Sequence, residues 1–454
     1  MNAFTGADGP VIGELAEKGV RWGAKGTMLP KQAPLAPPAA VSPTEWAHPD
    51  VGWGVVLPDR DDLSVLDKVR GTDAPQPIRE LIEARGSAPI LRYRADLGER
   101  KLARYFDDGR RQDPEIGLTP FGTGPGRLPL YLLICASPTE VPWRLQYSLN
   151  RRHHVGRLDL PEEGLANYVR ALLSGWAGSR TNATSAVVWS VTGDSMTQKM
   201  DITIAQPLQA TMTRDPELTI TQLRGETATS EALISALVET APGVVVTCSH
   251  GRTGPLEDIQ AMRATLGLPV DASQTTLGLD QLRSWHPGGA VWYAQACCSA
   301  GSDDGTSFDG LLQPDSLADR VLRTVGTLGA KVAPLPTALL GAPEPLRAFI
   351  GHVEPTFDWT LLAQDTGQFL TTPLVEAIYP RLYRRSPVGF AFAEHYRGVG
   401  ELYSKVAQAR AGIDAMAGGA REEATYYRLT ATDRESLVIL GDPAVALAPL
   451  PSQR

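Results

Sequence analysis

Two short stretches decide the fold: VVVTCSHG at residues 244–251 and AVWYAQACC at residues 290–298. Each begins as an apolar run of strand length, and the runs lead into His250-Gly251 and into Cys297. If the runs are neighbouring parallel strands, their carboxyl ends meet at one edge of a sheet. The pattern therefore predicts an imidazole and a thiol side by side, as a thiol nucleophile with a base requires.

The same alternation of apolar runs and helical segments extends over most of the chain. Strand-like runs are found at residues 52–57, 90–93, 130–136, 186–191, 244–248 and 290–296, with strand or loop at 331–340 and 348–353 and a closing strand and turn at 436–447. Helical patterns are found at residues 77–85, 163–173, 230–239, 316–325 and 387–411. Continuous apolar strands separated by helices predict an α/β fold, with a mostly parallel sheet covered by helices on both faces.

Composition and the strength of the strand–helix alternation divide the chain into three predicted segments. Residues 1–45, rich in Gly, Ala and Pro, are interpreted as an extended N-terminal arm. Residues 46–180 are interpreted as an accessory α/β subdomain, and the stronger alternation over 181–454 as the main domain.

The composition of the chain argues against several functional classes of protein. The chain has 454 residues, 43% of them hydrophobic and 21% charged, which is typical of a globular protein. Its net charge of −8 argues against direct binding of nucleic acid or an anionic membrane. The sequence contains neither a membrane-spanning apolar run nor the start of a signal peptide. Four cysteines are too few for a disulfide framework, so a cytoplasmic location is expected.

The predicted pair has a definite chemistry. A thiol attacks as the thiolate, and the adjacent imidazole of His250 can take its proton. Gly251 lets a substrate carbonyl approach the backbone, which makes the amides of Gly251 and Cys297 natural donors of an oxyanion hole. Because successive strand residues face opposite sides, only one of Cys297 and Cys298 can face His250, and the register favours Cys297.

The other histidines lack this setting. His153 and His154 are interpreted as part of a solvated basic turn, and His286 as lying at the far end of the strand that leads to Cys297. His352 follows an apolar run and could end another strand near the cleft. Neither zinc-ligand spacing nor a glycine-rich phosphate loop is found, so no metal and no cofactor are predicted.

These motifs resemble those of the caspase-fold (clan CD) cysteine peptidases, a group that includes caspases, legumains, gingipains, clostripain, separase and bacterial CHAT-domain proteases. The family has a His-Gly after one strand and an Ala-Cys after the next. Gln295-Ala296-Cys297 is similar to the start of the caspase motif, and Gly441-Asp442-Pro443 to a closing turn of gingipain-like and CHAT-like members. The resemblance covers roughly residues 180–450 and is closest to those bacterial members.

The resemblance implies a caspase-like peptidase domain at 181–454, with the 46–180 subdomain as a possible inactive caspase-like unit. It implies a cysteine endopeptidase with Cys297 as nucleophile and His250 as base, acting on a protein substrate. Bacterial relatives often serve in antiviral defence or self-killing once triggered, so an activating protein partner is also expected. Cys298 stands where caspases have an arginine, which separates this chain from caspases proper.

Three carboxylates are candidates for binding the substrate. Asp303 and Asp304 follow the nucleophile, and a carboxylate in the first subsite would select Arg or Lys before the cut bond. They could equally cap the next turn. A preference for Asp would instead need Arg252 or Arg283. Asp194, beyond the strand at 186–191, is a candidate for the electrostatics of the site, with an exposed turn as its other interpretation.

Two other functions share these motifs. A catalytically idle caspase-fold module would serve as a scaffold, although a scaffold has no physical need for the His250 and Cys297 pair. A thiol-dependent acyl transferase would use the same nucleophile with a different acceptor.

Overall fold

A ten-stranded mixed sheet forms the centre of the structure, a computed structural model that describes residues 41–86, 88–363, 366–414, 416 and 418–453. The strands are β1 (Trp53–Pro58), β2 (Ile90–Tyr93), β3 (Arg104–Tyr105), β4 (Arg111–Gln112), β5 (Tyr131–Cys135), β6 (His154–Leu158), β7 (Asn182–Ser190), β8 (Thr219–Arg224), β9 (Pro242–Cys248), β10 (His250–Gly251), β11 (Pro269–Val270), β12 (Val291–Gln295), β13 (Gly301–Ser302), β14 (Lys331–Val332), β15 (Ala348–His352) and β16 (Leu437–Gly441). The six short strands β3, β4, β10, β11, β13 and β14 form three separate pairs.

Helices connect most of the strands of the sheet. The α-helices are Val65–Arg70, Gln76–Ala84, Trp143–Asn150, Glu162–Leu173, Ser195–Met200, Gln206–Met212, Ser230–Thr240, Ile259–Thr265, Leu317–Gly326, Pro334–Leu340, Thr372–Glu376, Val388–Ala391, Ala393–Asp414 and Ala420–Glu435. Local sequence explains their ends: Ser316, for example, caps the helix Leu317–Gly326 by accepting a hydrogen bond from the amide of Asp319. The fold is thus α/β.

The sheet consists of two parallel halves. The N-terminal half-sheet has the strand order β2-β1-β5-β6-β16, and the C-terminal half-sheet continues as β15-β12-β9-β7-β8. All neighbours within each half are parallel, whereas β15 and β16 are antiparallel. The carboxyl ends of the two halves therefore lie at opposite edges of the sheet.

The core explains why these runs form strands. All seven residues of β9 and all five of β12 are buried, as expected for central parallel strands packed on both faces. Every strand-like run in the sequence except 331–340 becomes a strand of the sheet, with ends displaced by at most a few residues. The prediction of a mostly parallel sheet with helices is confirmed.

Some expectations are wrong. His153 and His154 are buried rather than solvated, because His154 begins the central strand β6 and His153 bonds the carbonyl of Pro129 at 2.8 Å. The stretch 331–340, expected as strand or loop, begins as the short strand β14 but continues as the helix Pro334–Leu340, which has a proline at its first position.

The three segments predicted from the sequence compare with the structure as follows. Residues 1–40 of the predicted arm lie outside the described residues. Segments 46–180 and 181–454 contribute strands to one sheet within the compact unit Pro43–Arg454, so the boundary at 180 stays a prediction. In the described part of the chain, none of the helices has the length and apolar character needed to cross a membrane.

Candidate active site at the carboxyl edge of the C-terminal half-sheet

The strand register places His250 and Cys297 level with each other. Strands β9 and β12 are parallel neighbours, and their last paired residues are Cys248 and Gln295. His250 and Cys297 each lie two residues beyond that pair. The amide of Ser249 donates to the carbonyl of Gln295 at 3.2 Å, which holds the two chains together just before the histidine. The predicted juxtaposition at one sheet edge is confirmed for the backbone.

Two glycines pack beneath the backbone of the Cys297-Cys298 turn. A Cβ atom at Gly251 would lie 1.9 Å from the carbonyl oxygen of Cys297, and one at Gly267 would lie 2.0 Å from that of Cys298. Both distances are far below van der Waals contact, so any side chain at either position would displace the turn. Gly251 is therefore required by the approach of the protein's own backbone.

The two adjacent thiols have different environments. Cys298 is fully buried in an apolar cluster with Met262, Leu266, Val325 and Leu328, whereas Cys297 is partly exposed. Cys298 also adopts a left-handed φ of 54°, which is strained for a residue with a side chain, and its amide is held by the carbonyl of Glu354 at 3.1 Å. The chain thus turns sharply after Cys297 and leaves that thiol as the accessible one.

Asp194 contacts His250 directly. One carboxylate oxygen of Asp194 lies 2.6 Å from Nε2 of His250, and the other accepts the amides of Met196 and Thr197 as the N-cap of the helix Ser195–Met200. Partial burial opposes ionisation of the carboxyl, but the hydrogen bonds from Thr197 and His250 outweigh it and hold the pKa of Asp194 below its usual value. A fixed carboxylate on Nε2 orients the imidazole.

The thiol of Cys297 is protonated and forms its hydrogen bond with Thr356 rather than with His250. Its Sγ donates to the carbonyl oxygen of Thr356 at 3.6 Å. Burial raises the pKa of Cys297 to about 11, although backbone hydrogen bonds at Thr356, Cys297 and Gly251 act to lower it. The amides of Gly251 and Cys297 thus lie close to the sulfur atom. Their role as an oxyanion hole stays a prediction.

Asp433 supports the acceptor of that thiol, and sequence reasoning missed it. Its carboxylate accepts the hydroxyl of Thr356 at 2.9 Å and the amide of Phe357 at 3.0 Å. Burial raises the pKa of Asp433 to about 7, and these hydrogen bonds offset only part of the effect. The one signal in the sequence was a charged triplet, residues 433–435, separated from an apolar strand by a single serine.

An ion pair joins the loop after β15 to the helix Ser195–Met200, the helix that Asp194 caps. Lys199 of the helix Ser195–Met200 lies 2.6 Å from the carboxylate of Asp358. Segments that follow β7, β9, β12 and β15 therefore meet at this edge of the C-terminal half-sheet, in keeping with the rule that parallel sheets carry sites at their carboxyl ends.

Asp303 and Asp304 are not hydrogen-bonded to His250 or Cys297 in the described part of the chain. Asp304 is exposed, and its amide bonds the carboxylate of Asp303 at 2.9 Å. Burial raises the pKa of Asp303, with Arg144 among the groups that lower it. Their role in substrate selection stays a prediction. The following loop is fixed by the buried Glu354, which accepts the amide and hydroxyl of Ser307.

The remaining candidates lie outside this arrangement. The ring of His352 is buried against the hydroxyl of Ser436, at 3.0 Å, and burial lowers its pKa to about 3. The exposed ring of His286 lies 3.7 Å from Glu344. Over the described residues, no group of three or more His, Cys, Asp or Glu side chains could hold a metal ion. The prediction that no cofactor is needed stays a prediction.

Comparison with known proteins adds no relative: no protein-family model matches the chain, and no curated protein is similar to it.

Proposed function

We propose that the protein is a cysteine endopeptidase with a caspase-like fold, in which Cys297 is the nucleophile and His250 the base. The observation that carries the proposal is the level position of the two residues beyond β9 and β12, with Gly251 packed on the backbone of Cys297. An accessible thiol, an oriented imidazole and two backbone amides at the sulfur are the parts that acyl transfer through a thiol needs.

The contact with Asp194 assigns the proton chemistry. When the carboxylate accepts the Nε2 proton of His250, Nδ1 carries the lone pair and can take the proton of the Cys297 thiol. The sulfur then bonds to the substrate carbonyl carbon, and the amides of Gly251 and Cys297 stabilise the oxyanion. The imidazolium returns its proton to the leaving amine as the peptide bond breaks. Water hydrolyses the acyl-enzyme by the same route.

The bond from the thiol to Thr356 describes the resting enzyme. The raised pKa of Cys297 keeps the thiol neutral, and its hydrogen bond is made to Thr356 rather than to His250. Attack therefore requires rotation of the Cys297 side chain toward the imidazole. Substrate or an activating protein partner would favour that rotamer, consistent with the triggered role in bacterial antiviral defence or self-killing that the sequence resemblance implies.

A peptide library tests the proposal. The purified protein is incubated with a diverse peptide mixture, and new ends are identified by mass spectrometry. We expect cleavage after basic residues, abolished by Cys297→Ala and retained by the matched variant Cys298→Ala. Equal cleavage by the Cys297→Ala variant and the parent would refute the nucleophile assignment. Cleavage after other residues would refute the roles of Asp303 and Asp304 alone.

One observation favours a second function, the catalytically idle scaffold. The thiol is neutral and hydrogen-bonded to Thr356 rather than to His250. An electrophilic peptide probe distinguishes the two functions. An idle module is not labelled at Cys297, even when cell extract is added to the protein as a source of activators. An acyl transferase is recognised in the same experiment by new amide products in place of free carboxyl ends.

A further inference from the structure

A cavity of about 470 Å³ lies away from the candidate active site, between helical faces from distant parts of the chain. The helix Trp143–Asn150 and its cap contribute residues 144, 147, 148 and 151, which share one helical face. The helix Ala420–Glu435 contributes residues 428, 432 and 435, again one face. Glu99, Arg100, Ser307 and Tyr403 complete the lining. The size suits a small ligand.

Positive charge converges on this cavity. Four arginines from three segments line it, against two glutamates: Arg100, Arg144, Arg151 and Arg428, with Glu99 and Glu435. Because like charges repel, such convergence costs free energy unless an anion compensates it.

Only two of the four arginines have a carboxylate partner within the described residues. Arg100 pairs with Glu115 at 3.2 Å, and Arg151 with Glu435 at 2.9 Å. The guanidinium groups of Arg144 and Arg428 form neither an ion pair nor a hydrogen bond in the part of the chain that the structure describes. Both guanidinium groups are exposed and able to bind a ligand oxygen in the bidentate manner.

A buried hydroxyl in the wall gives a second, independent indication. Tyr147 lines the cavity and is only 5% exposed, yet its hydroxyl has no hydrogen-bond partner in the described structure. A buried hydroxyl without a partner costs about 1–3 kcal/mol, so native proteins rarely leave one. A ligand oxygen in the cavity would accept its proton.

We propose that this cavity binds a small phosphate-bearing anion with at least two negative charges, held by Arg144 and Arg428 and by the hydroxyl of Tyr147. Ser307 forms part of the wall and is held by Glu354, whose carbonyl accepts the amide of Cys298. The site is therefore in contact with the loop that follows the nucleophile, but its binding does not depend on the proposed peptidase activity.

Titration calorimetry on the full chain, with inorganic pyrophosphate and ATP as separate probes, tests the site. We expect pyrophosphate to bind and to weaken as salt is raised, because exposed charges are screened. The double variant Arg144→Gln/Arg428→Gln should bind at least about tenfold more weakly, since two charge-assisted contacts are lost. Tighter binding of ATP than of pyrophosphate would show that a nucleoside also enters the cavity, whereas equal binding would restrict the site to phosphates.

Two further variants keep the test decisive. Tyr147→Phe removes only the hydroxyl, so we expect weaker binding with unchanged or higher thermal stability. Arg214→Gln removes an exposed arginine outside the cavity and should leave binding unchanged. Absence of binding for both probes at 10 mM (roughly the weakest affinity of functional interest), or equal binding by the parent and the double variant, would overturn the proposal.

Discussion

The two halves of the sheet share their strand order but not their chemistry. From its outermost strand to the centre of the sheet, the N-terminal half-sheet has the order β2-β1-β5-β6-β16. The C-terminal half-sheet has the order β8-β7-β9-β12-β15 in the same direction. In each half, the strand that comes second in the sequence lies outermost. The strands that come first, third and fourth in the sequence follow it in that order toward the centre of the sheet. Strands β5 and β6 therefore occupy the positions that β9 and β12 occupy in the other half.

The difference lies in the residues that follow those strands. Cys135 pairs with Leu158 at the end of β5 and β6, as Cys248 pairs with Gln295 at the end of β9 and β12. Two residues further on, the N-terminal half-sheet has Ser137 and Leu160, where the C-terminal half-sheet has His250 and Cys297. The same scaffold thus carries a base and a thiol at only one of its edges.

The edge without these residues also contains a buried cation. The guanidinium of Arg157 in β6 donates to the carbonyls of Ala136 and Val141, at 2.9 and 2.8 Å, and ties down the loop after β5. At the other edge, His250 and Asp194 are about two-fifths exposed. The fold therefore permits a site at both edges, and the loop residues decide which edge carries the base and the thiol.

The largest expected effect separates the two edges. His250→Ala should lower kcat/KM for a cleaved peptide about 1,000-fold, because the general base is lost. Ser137→Ala, at the matched position of the N-terminal half-sheet, should leave kcat/KM unchanged. Steady-state kinetics on one library-derived peptide measure both, and an equal loss in the two variants would mean that the halves do not differ in the proposed way.

Gly251→Ala should lower kcat/KM about 100-fold, since the new Cβ must displace the carbonyl of Cys297 and a shift of about 1 Å is enough for such a loss. Gly400→Ala is the matched control, because a Cβ there meets nothing within 4 Å and alanine favours the helix Ala393–Asp414. The same kinetic assay and thermal melts check both variants. Full activity in Gly251→Ala would contradict the close packing beneath the nucleophile.

Asp194→Asn should lower kcat about 10- to 100-fold with an unchanged Tm. Asparagine can still cap the helix Ser195–Met200, but it lacks the charge that orients His250. Asp194→Ala loses the cap as well and should melt earlier. If Asp194→Asn keeps full kcat, the carboxylate is an N-cap and nothing more.

The last prediction needs no substitution and concerns the pH dependence of the resting thiol. A pKa of about 11 for Cys297 means that the thiolate fraction, and with it the rate of alkylation by iodoacetamide, should rise about tenfold per pH unit between pH 7 and 10. Mass spectrometry identifies the labelled cysteine. Burial raises the pKa of Cys135, Cys248 and Cys298 too, so these thiols should react more slowly. A rate that is already constant below pH 7 would indicate a preformed thiolate–imidazolium pair.

Local patterns account for the part of this site that sequence could predict. Runs such as residues 244–248 and 290–296 are long enough and apolar enough to become central strands wherever they are placed, and the positions of His250 and Cys297 after them follow directly. The buried strand β6 was missed because His154 and Arg157 interrupt its apolar pattern. Tertiary hydrogen bonds and burial satisfy those polar groups, and sequence periodicity does not report them.

The sequence by itself determined the α/β class and the positions of His250 and Cys297 after two apolar strands, because hydrophobic periodicity acts within a few residues. Only the tertiary structure decided that these strands are parallel neighbours, which places the two residues level with each other. Only the tertiary structure decided that Asp194 contacts His250, that the thiol of Cys297 rests on Thr356, and that Asp433 supports that carbonyl. Only the tertiary structure, too, joined the two half-sheets through β15 and β16. These contacts join segments more than 50 residues apart, and their geometry depends on how whole elements pack rather than on any local pattern.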